Sequence, residues 1–150
     1  MAETVGTCPL TRGRRILVAV DGSEYAEHAI NQAISLGRIC KSEIFVLSVA
    51  EIDAEYLADA PALYERLQKE AGKTAESAKA QVEQAGLSCM ALTMTNMYPA
   101  RAILDVARNR EIDLIVMGHR GRSRLKQLIL GSVAQHVVAQ APCPVMIVPV

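Results

Sequence analysis

The chain has little aromatic surface to offer: its 150 residues include no Trp, one Phe and four Tyr. A platform that stacks successive bases needs several such rings, so sequence-tolerant binding of single-stranded nucleic acid is excluded. Net charge is lacking too. Sixteen Lys and Arg balance sixteen Asp and Glu, which removes the electrostatic argument for a nucleic-acid partner. Aliphatic runs are short, Ile16 to Val20 being typical, whereas a bilayer-spanning helix needs about 20 apolar residues. No membrane partner is expected. The segment Met1 to Arg15 contains no apolar stretch of the kind that directs secretion, so the expected location is cytoplasmic. Four cysteines, Cys8, Cys40, Cys89 and Cys143, include no CxxC pair. That spacing fits neither a zinc site nor a thioredoxin-like motif, and reduced thiols are expected.

Apolar content is plentiful, at 51% hydrophobic against 21% charged residues, which excludes a disordered chain. A chain of this length buries roughly 68–70% of its unfolded surface, enough for a core without staples. Neither repeats nor a Gly/Ser linker interrupt it. Residues 1–13 read as a flexible arm and residues 14–150 as one domain.

Five apolar segments read as strands: Arg15 to Val20, Glu43 to Val49, about Ser88 to Thr95, Leu114 to Met117, and Val145 to Val148. Near-continuous Ile, Leu, Val and Met runs indicate strands buried on both faces, as in a parallel sheet covered by helices. The stretches between them have helical periodicity. Ala26, Ala29, Ile30, Ala33, Leu36 and Gly37 share one face, with Ser23 placed to cap it. A longer stripe runs Leu63, Leu67, Ala71, Ala75, Ala78, Val82, after Pro61 and before Gly86. A third helix starts at Pro99, and a fourth carries Val133, Ala134, Val137, Val138 and Ala141 ahead of Pro142. The alternation predicts an α/β fold, a single-domain doubly wound sandwich around a five-stranded parallel sheet.

In such folds ligands sit outside the carboxyl ends of the strands, where strand order reverses. Charge is uneven here as well: after Asp113 there is no acidic residue, only Arg120, Arg122, Arg124 and Lys126. A solvated basic loop explains that segment as readily as an anion site does. Gly118 and Gly121, three apart, allow a tight turn and close approach to a ligand. Gly131 and Ser132 then open the last helix with N–H groups, a hydroxyl and the positive end of the helix dipole, which favour phosphate. No GxxxxGK[ST] loop, GxGxxG fingerprint, HExxH or GxSxG occurs. His28, His119 and His136 read as isolated surface residues, and Cys143 as packing between two prolines.

The spacing Gly118, Gly121, Gly131, Ser132, with nine residues from Arg122 to Leu130 between, resembles the nucleotide-binding branch of the universal stress protein family, whose motif is G-x2-G-x9-G-[S/T]. The strand and turn from Ile16 to Ser23, and Gly131 to Ala134 followed by Ala141 to Val145, resemble that family's opening and closing elements. The likeness covers about residues 14–150. One departure is Met97-Tyr98-Pro99, where many members have Gly-x-Pro.

The resemblance implies a Rossmann-like, adenine nucleotide alpha hydrolase-like fold and a stress-response protein that binds ATP, with Mg2+ on the phosphates. Asp21 would contact the ribose or a phosphate-bridging metal; a turn-forming Asp is the simpler reading of the same residue. Val49 would offer its backbone to the adenine edge. Ala19, Val20 and Met117 would line the base pocket, Arg120 would reach phosphate, and Gly118, Gly121, Gly131, Ser132 and Val133 would form the cradle. No general base is evident, so a nucleotide-gated interaction module with an unknown protein partner is expected over an enzyme. Slow ATP hydrolysis or phosphotransfer through Asp21, and a pocket for AMP or a cyclic nucleotide, remain the alternatives. Strand order in the family places the last strand at a sheet edge, which predicts a homodimer through Val145 to Val150.

Overall fold

The computed structural model describes residues 6–53, 55, 58–121 and 129–150. Among the described residues the elements are β1 (Arg15–Ala19), α1 (Glu24–Cys40), β2 (Glu43–Ala50), α2 (Pro61–Gln84), β3 (Cys89–Thr95), α3 (Pro99–Asn109), β4 (Leu114–Gly118), α4 (Ser132–Gln140) and β5 (Val145–Val148). All strand pairs are parallel, in the order β3-β2-β1-β4-β5. The chain winds outward from β1 to β3, then returns to the other side of β1. Strand order therefore reverses between β1 and β4.

Side-chain alternation along each strand divides the core in two. Ile16, Val18, Ile44, Val46, Leu114 and Val116 meet α1 and α2 on one face. Leu17, Phe45, Leu47, Ile115 and Met117 meet α3 and α4 on the other. This is the sandwich that the apolar runs predict. The edge strand β3 is less enclosed, with alternating partial exposure. Two members of the expected helical stripes face outward: Val138 is 51% exposed and Leu63, in the first turn of α2, is 42% exposed. Four apolar positions per two turns suffice for a helix lying on a sheet, and these two fall beyond the contact.

Caps match their sequence signals. The Ser23 hydroxyl accepts from the Ala26 N–H at 3.3 Å, and Gly86 takes φ +85° just beyond α2, a conformation open to glycine. Among the described residues no helix is long and apolar enough to cross a membrane.

The expectation of four reduced thiols is overturned at one pair: Cys8 and Cys40 form a disulfide. Residues ahead of β1 run beside the last turn of α1, which brings together two cysteines 32 positions apart in sequence. The described part of the arm, 6–13, forms no helix or strand, yet Leu10 packs on the α1-side core. Cys89 and Cys143 are free thiols. Burial, with Glu83 adding to it, pushes the Cys89 pKa up to about 11. Burial and Asp113 raise that of Cys143. Both shifts disfavour the reactive thiolate.

Candidate functional site

A cavity of about 520 Å³ opens over the carboxyl ends of β4, β1 and β2, at the switch point. That is the size of a small-molecule site. All the residues singled out from sequence line it. Ala19, Val20 and Asp21 come from the end of β1, and Val49 from β2. Met117, Gly118, Arg120 and Gly121 follow along β4 and its exit. Gly131, Ser132 and Val133 stand at the start of α4.

The sheet ladder explains what Val49 presents. Glu43 N–H donates to Arg14 C=O at 2.7 Å and Val20 N–H to Leu47 C=O at 2.9 Å, so odd-numbered residues of β2 turn their peptide groups toward β1. Even-numbered ones turn toward β3, as Asn96 N–H to Ala50 C=O at 3.1 Å shows. Past Leu47, β1 has ended. Val49 therefore directs its N–H and C=O at the opening, one donor beside one acceptor.

The glycines play three different parts. A Cβ on Gly118 would lie 2.7 Å from Tyr25 Cβ and 3.0 Å from the Tyr25 backbone, so this glycine lets α1 pack against β4. The expectation that Gly118 chiefly clears space for a ligand is thus corrected: its hydrogen faces a helix. A Cβ on Gly121 would lie 2.8 Å from Asp21 Oδ2, so this glycine leaves the Asp21 carboxylate its room at the cavity wall. Gly131 sits against the loop entrance, its Cβ position 3.3 Å from His119 O. Its N–H donates to that carbonyl at 2.7 Å, so the expected free Gly131 N–H is already used. The donors of an anion cradle shift one residue onward. In an α-helix the first N–H groups have no intrahelical acceptor; here those of Ser132, Val133 and Ala134 belong to residues on the cavity wall.

Asp21 makes the turn that is the simpler of its two readings. Its Oδ1 accepts from Ser23 N–H at 2.9 Å, an Asx turn that leads into α1. The residue also borders the cavity beside Arg120. Gly22, at φ +79°, completes the turn. Arg122, Arg124 and Lys126, expected to face solvent, lie outside the described residues.

Sequence reasoning missed one wall. Leu67, Glu70 and Ala71 of α2, with Ser48 of β2, Glu51 just past its end and Ile103 of α3, also line the cavity. Leu67 and Ala71 stand in the α2 stripe, but nothing in that stripe marks where the sheet beneath it stops. His119 corrects another expectation. It is half-buried rather than superficial, with its ring edge-on to Tyr25 at 4.9 Å. Its Nδ1 has no hydrogen-bond partner among the described residues.

A parallel five-stranded sheet with a cavity at its switch point, walled by a glycine turn and a helix N-terminus, defines a doubly wound α/β fold with a candidate small-molecule site. The profile of the Universal stress protein family matches residues 13–149, and the chain belongs to that family. It is 34% identical over 149 residues to Universal stress protein Sll1388 of Synechocystis, covering 89% of this chain and 96% of that one. Universal stress protein UspA from Lactobacillus plantarum superposes with a TM-score of 0.79 at 28% identity, over 92% of this chain and 99% of its own. The archaeal protein MJ0577 does so at 0.80 and 28%, over 91% and 96%. A universal stress protein solved with cAMP, at 23% identity and a TM-score of 0.69 over 90% of this chain and 96% of its own, shares the fold.

Proposed function

We propose that the chain binds ATP, with Mg2+ on its phosphates, and works as a nucleotide-gated interaction module. The observation that carries this reading is the grouping of complementary chemistry in one cavity. The first turn of α4 supplies anion-binding donors, Val49 a donor–acceptor pair, and Leu67, Ala71, Ile103 and Met117 the apolar surface. Phosphates belong at α4 and the base against Val49 and α2, with Asp21 between them.

The residues fit such a ligand. The Gly121 position keeps clear a space that a Cβ would fill. Among the described residues no cluster of three or more His, Cys, Asp or Glu would hold a metal alone. Mg2+ would therefore take the nucleotide's own phosphate oxygens, with Asp21 as a second-layer carboxylate. Its chemistry is to neutralise phosphate charge. The residues of this chain would bind and orient the nucleotide, which is the part a switch requires of them.

Location in the cytoplasm and a homodimer through β5 complete the proposal. β5 is an edge strand whose Val145, Met146 and Ile147 are half-buried, and antiparallel pairing with a second copy would satisfy its open edge. Light scattering of the wild type beside Ile147→Lys tests this; a wild type that is monomeric at micromolar concentration ends it. A bound nucleotide would alter the surface around the cavity mouth, which a partner reads.

Mass spectrometry of small molecules released from protein purified without added nucleotide tests the ligand. ATP is expected. Recovery of AMP or a cyclic nucleotide instead would reassign the phosphate end.

A further inference from the structure

The Cys8–Cys40 bridge lies at the end of the sheet away from the cavity. Cys40 closes α1 and is followed, after two residues, by the first residue of β2, and Cys8 belongs to the segment that enters β1. Gly13 makes room for it: a Cβ there would lie 3.0 Å from Cys8 Sγ and 3.1 Å from Cys40 Cβ. The Ser42 hydroxyl donates to Gly13 C=O, and Glu43 N–H to Arg14 C=O at 2.7 Å. The chain is therefore fixed from Gly13 onward without the disulfide. Before Gly13, the attachments among the described residues are the bridge and the packing of Leu10 on the core. Both sulfurs belong to half-buried residues within reach of solvent. The other two cysteines stand apart from the bridge as free thiols, and burial raises the pKa of each.

We propose that Cys8–Cys40 is a thiol–disulfide exchange site that latches residues 6–12 onto α1 when oxidised and releases them when reduced. The co-reactant is a dithiol, small-molecule or protein. One of its thiolates attacks a bridge sulfur to form a mixed disulfide, its second thiol resolves that bond, and two electrons and two protons pass to Cys8 and Cys40. Oxidised dithiol leaves. Opening the bridge restores the freedom of a long loop to the unfolded chain and frees the Leu10 contact. It leaves the cavity as it was. This inference stands independently of the proposed nucleotide.

The intact chain is equilibrated with dithiothreitol or with oxidised glutathione, alkylated and weighed, then exposed briefly to trypsin, which cleaves after the exposed Arg12. The expected result is paired labelling of Cys8 and Cys40 only after reduction, and its reversal by oxidised glutathione. Cleavage at Arg12 should be on the order of tenfold faster in the reduced form. The melting temperature should fall by roughly 5–10 °C. Cys8→Ser and Cys40→Ser should each reproduce the reduced form. Gly13→Val, which retains both cysteines, should make the bridge easier to reduce. ATP titration should give the same affinity in both redox states. Alkylation of both cysteines without reductant, equal cleavage at Arg12 in the two states, or a bridge that does not re-form would each overturn the proposal.

Discussion

The two ends of the sheet are built from the same strands and differ in how their polar groups are used. At the amino end, side chains close them off. Asp113 Oδ2 accepts from the N–H groups of Arg14 and Arg15 at 3.1 and 3.0 Å. Arg15 Nη1 donates to Arg110 C=O at 2.8 Å, and Ser42 caps Gly13. At the carboxyl end, β1 stops short of β2, α4 begins with a glycine instead of a capping side chain, and the donors face a cavity. One end spends its hydrogen bonds on stability, the other keeps them for a ligand. Substitutions should therefore separate into those that move the melting curve and those that move affinity.

The largest effect expected belongs to neither class cleanly. Gly118→Val forces a branched side chain into the backbone of Tyr25, and overpacking of that kind costs about 3 kcal/mol. Urea denaturation should show it, with loss of nucleotide affinity only as a consequence of displaced β4. A stable Gly118→Val protein would mean that α1 can move off β4. Next comes the closed end: Asp113→Ala strands two backbone N–H groups and should cost about 2 kcal/mol of stability, with ATP affinity unchanged by calorimetry. A drop in affinity there would dissolve the contrast between the ends. Ser132→Ala should reverse the pattern, with affinity falling on the order of tenfold and unfolding hardly altered. If it binds like the wild type, the hydroxyl is no part of the cradle. The smallest effect concerns Ser23→Ala, which removes the cap on α1 and should lower stability by about 1 kcal/mol, again visible in urea.

The sequence was most legible where physics is local. Aliphatic runs located every strand to within a residue, and cap and proline signals located the start of every helix as closely. The glycine spacing led to the right cavity. It did not reveal which glycine does what: Gly118 and Gly121 look alike in the motif, and only the position of Tyr25 against one and Asp21 against the other separates them. The same holds for the Gly131 N–H, whose acceptor, His119 C=O, lies across a loop. The α2 wall and the Cys8–Cys40 pair were illegible for a related reason. Both depend on how far a helix overhangs the sheet, which periodicity within one element cannot express.

The central claim is that the open end binds ATP through the space kept by Gly121. Calorimetric titration of MgATP into the wild type and into Gly121→Val decides it, with unfolding curves recorded for both. The account predicts saturable binding to the wild type, at least about tenfold weaker in the variant, and similar stability of the two proteins. Equal affinity in both, or no binding to the wild type, would contradict it.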